Sequence, residues 1–376
     1  MRALCCVHRE LRLDRSYPTP TPQESEALVR VLRAGICSTD FQILAGYVPD
    51  YNHVLGHEFV GVVERCTQQP SLVGKRVVGE INCPCEECTD PDPIFRRNHA
   101  PFRTVLGIIN KDGTMADYCT LPVANLHLVP EGLTDEEACF AEPLAAACRV
   151  LEQQVIARGA KVAVLGDGKL GLLIAQLLVV RGVEAITHFG RHDDKLELVE
   201  GTQRCRVHSS QDTMEQYGGA FDVCIEATGS PQGVLLAAAL TRPLGTLVLK
   251  STCAIGNDAS VPAWTQIAND IVVNEKMLVG SRCGPFPPAL AALQDARIKS
   301  LVRAMVSGVF SLDDGMKAME AAKAKGAIKV QLRMDTATMQ QPTLLSWRER
   351  GRDKLLKKMA AELKSPSKME LPEPLP

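Results

Sequence analysis

The stretch KVAVLGDGKLG, residues 161–171, decides how the chain folds. Lys161 to Gly166 reads as a buried strand, and the apolar run 169–181 reads as a helix. Between them lies Gly166-Asp167-Gly168-Lys169-Leu170-Gly171, a GxGxxG loop. In a strand–loop–helix setting each glycine has a physical task. The first makes a tight turn, the second lets backbone approach a pyrophosphate, and the third lets helix and strand pack closely. The helix start then offers amide donors and partial positive charge to an anion. The string alone is weak evidence, but this setting makes a dinucleotide site the expectation, with Gly166, Gly168, Leu170 and Gly171 lining it.

Toward the C-terminus the strand–helix alternation continues. VEAITHF (183–189), FDVCIEATG (221–229), GTLVLKS (245–251) and KMLVGS (276–281) read as strands, and QGVLLAAALT (232–241) as a helix. Such alternation implies a parallel sheet covered on both faces. PPALAALQDARI and SLDDGMKAMEAAKAKGAIKVQL then read as helices and a final strand outside that sheet. Residues 336–376 are polar and charged, end in PEPLP, and are expected to be dispensable for chemistry.

Toward the N-terminus the character is different. ALVRVLRAGI (27–36), HEFVGVVERC (57–66) and KRVVGEI (75–81) read as strands between Gly and Pro signals, so residues 1–135 form an irregular, mostly β domain. Thr134 and Glu137 suit a capping box opening a helical stretch to 158, with Pro143 imposing a kink or a late start.

At 376 residues the chain holds about two domains. A net charge of −2 gives no basic excess to attract nucleic acid. The start, MRALCCVHRELRLDR, carries charges throughout, and Asp167 and Lys169 interrupt the longest apolar region. Neither a signal peptide nor a membrane span is expected, and the expected location is cytoplasmic. Most of the fourteen cysteines sit singly in apolar segments and read as reduced core residues. Cys83, Cys85 and Cys88 cluster instead, and Cys37 has unusual neighbours.

Those neighbours bear chemistry. Gly35-Ile36-Cys37-Ser38-Thr39-Asp40 precedes Gly56-His57-Glu58, and Ala141-Glu142-Pro143-Leu144 follows. A thiolate, an imidazole and a carboxylate can together hold zinc with one position open, where an alcohol oxygen would be activated. Singly, each residue has a plain structural reading, and spacing alone does not join them.

With GICSTD (35–40), GHE (56–58), the glycine loop, EATGS (226–230) and GSRCGPF (280–286) in this order, residues 1–335 resemble the medium-chain dehydrogenase/reductase family, in its zinc-dependent alcohol, polyol and glucose dehydrogenase branch. The resemblance implies an α/β protein with a GroES-like β domain, residues 1–144 and 283–335. A Rossmann doubly wound parallel-sheet domain, residues 145–282, would interrupt it. It further implies Zn2+ held by Cys37, His57 and Glu142. Glu58 would enter or leave the coordination shell, Asp40 would orient the histidine from behind, and Thr39 would pass the substrate proton. Gln42 stands where many relatives carry a relay histidine, so the proton must leave by water or another route. A small-molecule alcohol or carbonyl substrate and a homo-oligomer, dimer or tetramer, are implied as well.

Two features depart from the family pattern or refine it. A second, structural zinc would need four cysteines. Here Cys83, Cys85 and Cys88 follow a tighter spacing, Ala100 holds the fourth place, and only His99 beside it could substitute. The strand VEAITHF ends in Gly190, where folds that bind NAD carry an acid, and Arg191 and His192 follow. The glycine leaves room for a 2′-phosphate and Arg191 can bind it, so NADP is the expected cofactor, with NAD the alternative. The rival readings are a zinc-free quinone or enoyl reductase, and a non-catalytic dinucleotide-binding protein on the same scaffold.

Overall fold

Strand pairing sorts the chain into two main sheets in the computed structural model, which describes residues 1–84, 88–253 and 261–334, without the side chains of 261–263. The first half contributes β1 (Ala3–Val7), β2 (Glu10–Asp14), β3 (Glu26–Gly35), β4 (Glu58–Cys66), β5 (Arg76–Gly79), β6 (Asn82–Cys83), β7 (Thr104–Val105), β8 (Tyr118–Pro122) and β9 (Leu126–Leu128). Helix α1 (Ser38–Leu44) joins β3 to β4, and α2 (Pro93–His99) lies between β6 and β7. Next come α3 (Asp135–Ala138) and α4 (Ala141–Gln153). The second half runs β10 (Lys161–Leu165), α5 (Lys169–Val180), β11 (Ala185–Gly190), α6 (Asp193–Leu196), β12 (Gln203–Arg206), α7 (Ser210–Tyr217), β13 (Phe221–Glu226), α8 (Pro231–Leu240), β14 (Thr241–Leu249), α9 (Val261–Val273) and β15 (Met277–Gly280). It closes with α10 (Phe286–Ala292), α11 (Ala296–Met305), β16 (Val306–Ser311), α12 (Gly315–Lys323) and β17 (Lys329–Arg333).

The first large sheet has the order β16-β17-β3-β4-β5-β9, with β8 also on β3. Strand β3 carries its centre. Ala27, Val29 and Val31 on it are buried with Val63, Leu121 and Leu332 in one apolar core. The second sheet, β12-β11-β10-β13-β14-β15, is parallel throughout. Counted from β10 this is the order 3-2-1-4-5-6, whose strand order reverses between β10 and β13 and leaves a crevice at their C-terminal ends. Val162 to Leu165 of β10 are all buried, as a strand covered on both faces requires. Helices α10 and α11 pack on α4 and α5, and the chain rejoins the first sheet at β16 and β17.

Local signals explain several boundaries. The capping box forms: Glu137 N donates to Thr134 Oγ1 at 3.2 Å, and Thr134 N to Glu137 Oε2 at 2.9 Å. It opens only the four-residue α3, and a separate α4 starts at Ala141, so Pro143 sits in a first turn where its missing N–H is no loss. Strands β12 and β16 carry no alternating apolar signature. Polar QRCR earns its place by pairing with the edge of β11. No described helix is long and apolar enough to cross a membrane.

Candidate active site

Antiparallel register builds the first half of the site. Gly35, the last residue of β3, is the Cα partner of Glu58, the first of β4. Cys37 therefore follows one strand end as His57 precedes the other. The Cys37 sulfur, a His57 nitrogen and a Glu58 oxygen lie within 4.8 Å of one another, a metal-holding group found among the described residues. A Cβ at Gly35 would stand 2.2 Å from Glu58 Oε2, so a side chain there would push the Glu58 carboxylate out of its place.

Asp40, fully buried on α1, ties the two strand ends together. Its Oδ2 accepts from Cys37 N at 2.8 Å and its Oδ1 from Gly56 N at 3.2 Å. The same Oδ1 is 3.7 Å from His57 Nδ1, so Asp40 faces that edge of the ring and leaves Nε2 for another partner. Thr39 Oγ1 is 3.7 Å from Cys37 Sγ. Glu142 stands in the first turn of α4, near enough for its charge to act on His57, Glu58 and Cys37.

Two lysines that the sequence did not flag complete the cluster. Lys329, on β17, donates to Glu58 Oε2 and, at 3.3 Å, to Ile36 O. Lys169, from the glycine loop, donates to Ile36 O at 3.2 Å and lies 4.0 Å from Glu58 Oε1. No pattern could have found Lys329, because the pairing of β17 with β3 alone brings it here. The charges reshape the acids and bases. Burial pushes the Cys37 thiol up, but Lys169 and His57 outweigh it and hold the thiol well below its ordinary value. Burial lowers His57, yet Cys37 carries it up to about 10. Burial raises Glu142 to about 7 and Asp40 to about 6.

These residues fit a zinc ion. The donor set is sulfur, nitrogen and carboxylate, the mixture of catalytic zinc sites, and the thiol is poised as thiolate. Glu58 Oε1 is buried with no hydrogen-bond partner, an orphan that a cation would satisfy.

The glycine loop takes the geometry its motif requires. Gly166 has φ +123°, and a Cβ on Gly171 would come 1.9 Å from Gly166 O, so neither position admits a side chain. Open space lies above Gly168, on the side a pyrophosphate would approach. Leu170 is partly buried at the start of α5. Two buried residues with no forecast role support the loop and its neighbour. His188 Nε2 is 2.8 Å from Gly166 O. Glu226 Oε1 accepts from Thr228 N and Gly229 N, fixing the turn after β13.

At the end of β11 the structure corrects one expectation. Gly190 does not open onto free space, because a Cβ there would stand 2.7 Å from Cβ of Asp167. The glycine loop itself supplies a carboxylate to this strand end, which Gly190 is small enough to admit. Arg191 is exposed beside it.

The second cysteine group is not gathered into a site. Among the described residues Cys83, Cys88 and His99 form no metal-holding group, and Cys85 lies outside the described residues. Cys83 is buried, donates to Ile81 O at 3.7 Å, and is pushed up by burial to about 11, which keeps it a thiol. Burial and the charges of Arg103, Arg282 and Arg149 hold His99 below its ordinary value.

Residues 23–131 match the alcohol dehydrogenase GroES-like domain, and residues 138–334 match the glucose dehydrogenase C-terminus. This chain belongs to the zinc-dependent medium-chain dehydrogenase family. It is 31% identical to glucose 1-dehydrogenase of Halobacterium salinarum, over 86% of this chain and 96% of that protein. It is 28% identical to sorbitol dehydrogenase of Halalkalibacterium halodurans, over 84% and 93%. Among solved structures, one described as a zinc-binding dehydrogenase of Sinorhizobium meliloti bound to NADP superposes with a TM-score of 0.76. It has 27% identity and covers 89% of this chain and 99% of that one. An alcohol dehydrogenase of Escherichia coli complexed with NADH superposes with the same score at 25% identity, covering 89% and 99%.

Proposed function

We propose that this medium-chain dehydrogenase moves a hydride between an alcohol or polyol, or the matching carbonyl, and a nicotinamide dinucleotide, using one zinc ion. The observation that carries this is the buried Cys37–His57–Glu58 group beside the crevice opened by the glycine loop. Cys37, His57 and Glu142 would hold the zinc, with Glu58 drawn between it and Lys329. Bound there, the ion would supply Lewis acidity to an alcohol oxygen, and the dinucleotide would supply the hydride acceptor.

The chain's own residues do the remaining work. Asp40 fixes the backbone of Cys37 and Gly56 in one arrangement and sets its charge 3.7 Å from the ring of His57. Thr39 offers a hydroxyl beside the cluster to take the substrate proton. Gln42 does not titrate, so that proton passes on through solvent. Lys329 and Lys169 both reach Ile36 O, and Lys169 thereby ties the glycine loop to the strand end that carries Cys37.

Glu142, a carboxylate at the place of a third cysteine ligand, favours polyols and sugars over simple alcohols. For the dinucleotide we favour NADP over NAD, on the basic pair Arg191 and His192 after β11. The relatives bound to NADP and to NADH are consistent with either. The fold is also suited to a homo-oligomer. Strand β15 is a sheet edge, and Met277 and Leu278 on it are exposed together with Val272 and Val273 of α9. We place the protein in the cytoplasm.

Zinc analysis joined to turnover on a panel of alcohols, polyols and sugars with both dinucleotides tests the reading. Turnover without bound metal would favour a zinc-free reductase. Dinucleotide binding without turnover on any substrate would favour a non-catalytic protein.

A further inference from the structure

The end of β11 already binds an anion that belongs to the protein. Asp167 Oδ2 accepts from Arg191 N at 2.7 Å, from His192 N at 2.8 Å and from His192 Nδ1 at 2.8 Å. Two successive backbone amides and an imidazole converge on one carboxylate oxygen. Successive amides of this kind form a concave anion site, and the side chain of Arg191, which supplies one of these amides, is exposed. Burial pushes the Asp167 carboxyl up, but the hydrogen bonds from His192 and Arg191 outweigh it and hold the group below its ordinary value. Asp193, two residues beyond Arg191, pairs instead with Arg206 at 2.6 Å.

We propose that Asp167 stands in for the 2′-phosphate of NADP, and that this glycine-loop residue, not a residue of β11, sets the discrimination between NADP and NAD. The proposal rests on the reading of the glycine loop as a dinucleotide site. A 2′-phosphate would seek the same three donors, and the exposed Arg191 side chain is free to turn toward its charge. It gains them only by displacing Asp167, whose negative charge otherwise stands against it. NAD, with a ribose hydroxyl there, has no need to displace it. Arg191 and His192 thus favour NADP, and Asp167 restrains that preference.

Calorimetric titration of the full-length protein with 2′,5′-ADP and 5′-ADP reads the adenosine site without turnover. Removing the carboxylate in Asp167→Ala is expected to tighten 2′,5′-ADP by about tenfold or more, the scale of a freed charge-assisted bond, with 5′-ADP changed by less than about threefold. Asp167→Asn, which keeps the shape and loses the charge, is expected to move the same way. Unchanged 2′,5′-ADP affinity in both variants overturns the proposal. So does a parallel loss for both nucleotides, which would make Asp167 a support of the loop only. Wild-type protein that binds neither nucleotide would overturn the dinucleotide reading itself.

Discussion

Two regions of this molecule carry cysteines in a pattern that suggests metal, and they fold to opposite ends. Around Cys37, two strand ends and a short helix gather unlike donors, and Lys169 and His57 hold the thiol low enough to be a thiolate. Around Cys83, burial outweighs the charge of Lys111 and pushes the thiol up to about 11. The thiolate is the ligand, so cysteine spacing matters less than the charge beside the sulfur. His57 and His99 differ in the same sense. One is raised to about 10 by an anionic neighbour, and the other is lowered amid burial and arginines.

The comparison breaks most decisively at Cys37. Cys37→Ala is expected to remove bound zinc and to lower kcat/KM by at least about 10³-fold, roughly 4 kcal/mol of transition-state stabilisation. The fold should persist, because the sheet of β10 to β15 has a core on one face built from its own half of the chain. Retained metal and turnover would place the chemistry elsewhere.

A smaller effect belongs to the residue behind the ligands. Asp40→Asn keeps the shape but weakens the hold on His57, and zinc affinity is expected to fall about 10- to 100-fold. A competitive chelator titration measures it. Equal affinity in both proteins would reduce Asp40 to a helix cap.

The charge argument can be sharpened by pH. In metal-free protein, burial raises Glu142 from 4.5 to about 7. Between those values the folded chain keeps a proton that the unfolded chain has released. Stability from this group is full below 4.5 and is lost as pH rises toward 7, by up to about 1.4 kcal/mol per pH unit. Glu142→Gln should flatten that part of a denaturation profile. Zinc should reverse the trend, because it requires the carboxylate. A slope equal in both proteins would mean that Glu142 titrates normally.

The least change is expected in the other region. Zinc content should stay near one equivalent per chain in Cys88→Ser, with kcat/KM within about threefold, as for most substitutions away from a functional feature. Two equivalents in wild type, one of them lost in the variant, would restore a second site there.

Much of this arrangement was legible in the chain. The GxGxxG loop, its strand and the start of its helix lie within eleven residues, and so does their backbone geometry. Cys37 with Asp40, and His57 with Glu58, are each local pairs. The strands β12 and β16 were not legible, because edge pairing and not apolar alternation creates them. Asp167 was readable as a letter in the glycine loop. Its hydrogen bonds to residues 24 and 25 positions onward were not.

The sequence by itself determined the parallel sheet, the glycine turn and the types of donor available for metal, because each follows from short-range pattern and chemistry. Only the tertiary structure decided which donors meet. The partnering of Gly35 with Glu58 set Cys37 beside His57, and the partnering of β17 with β3 delivered Lys329 to Glu58 across 271 residues. Charge acts through space, so the state of each thiol and carboxylate depends on neighbours that chain order does not name.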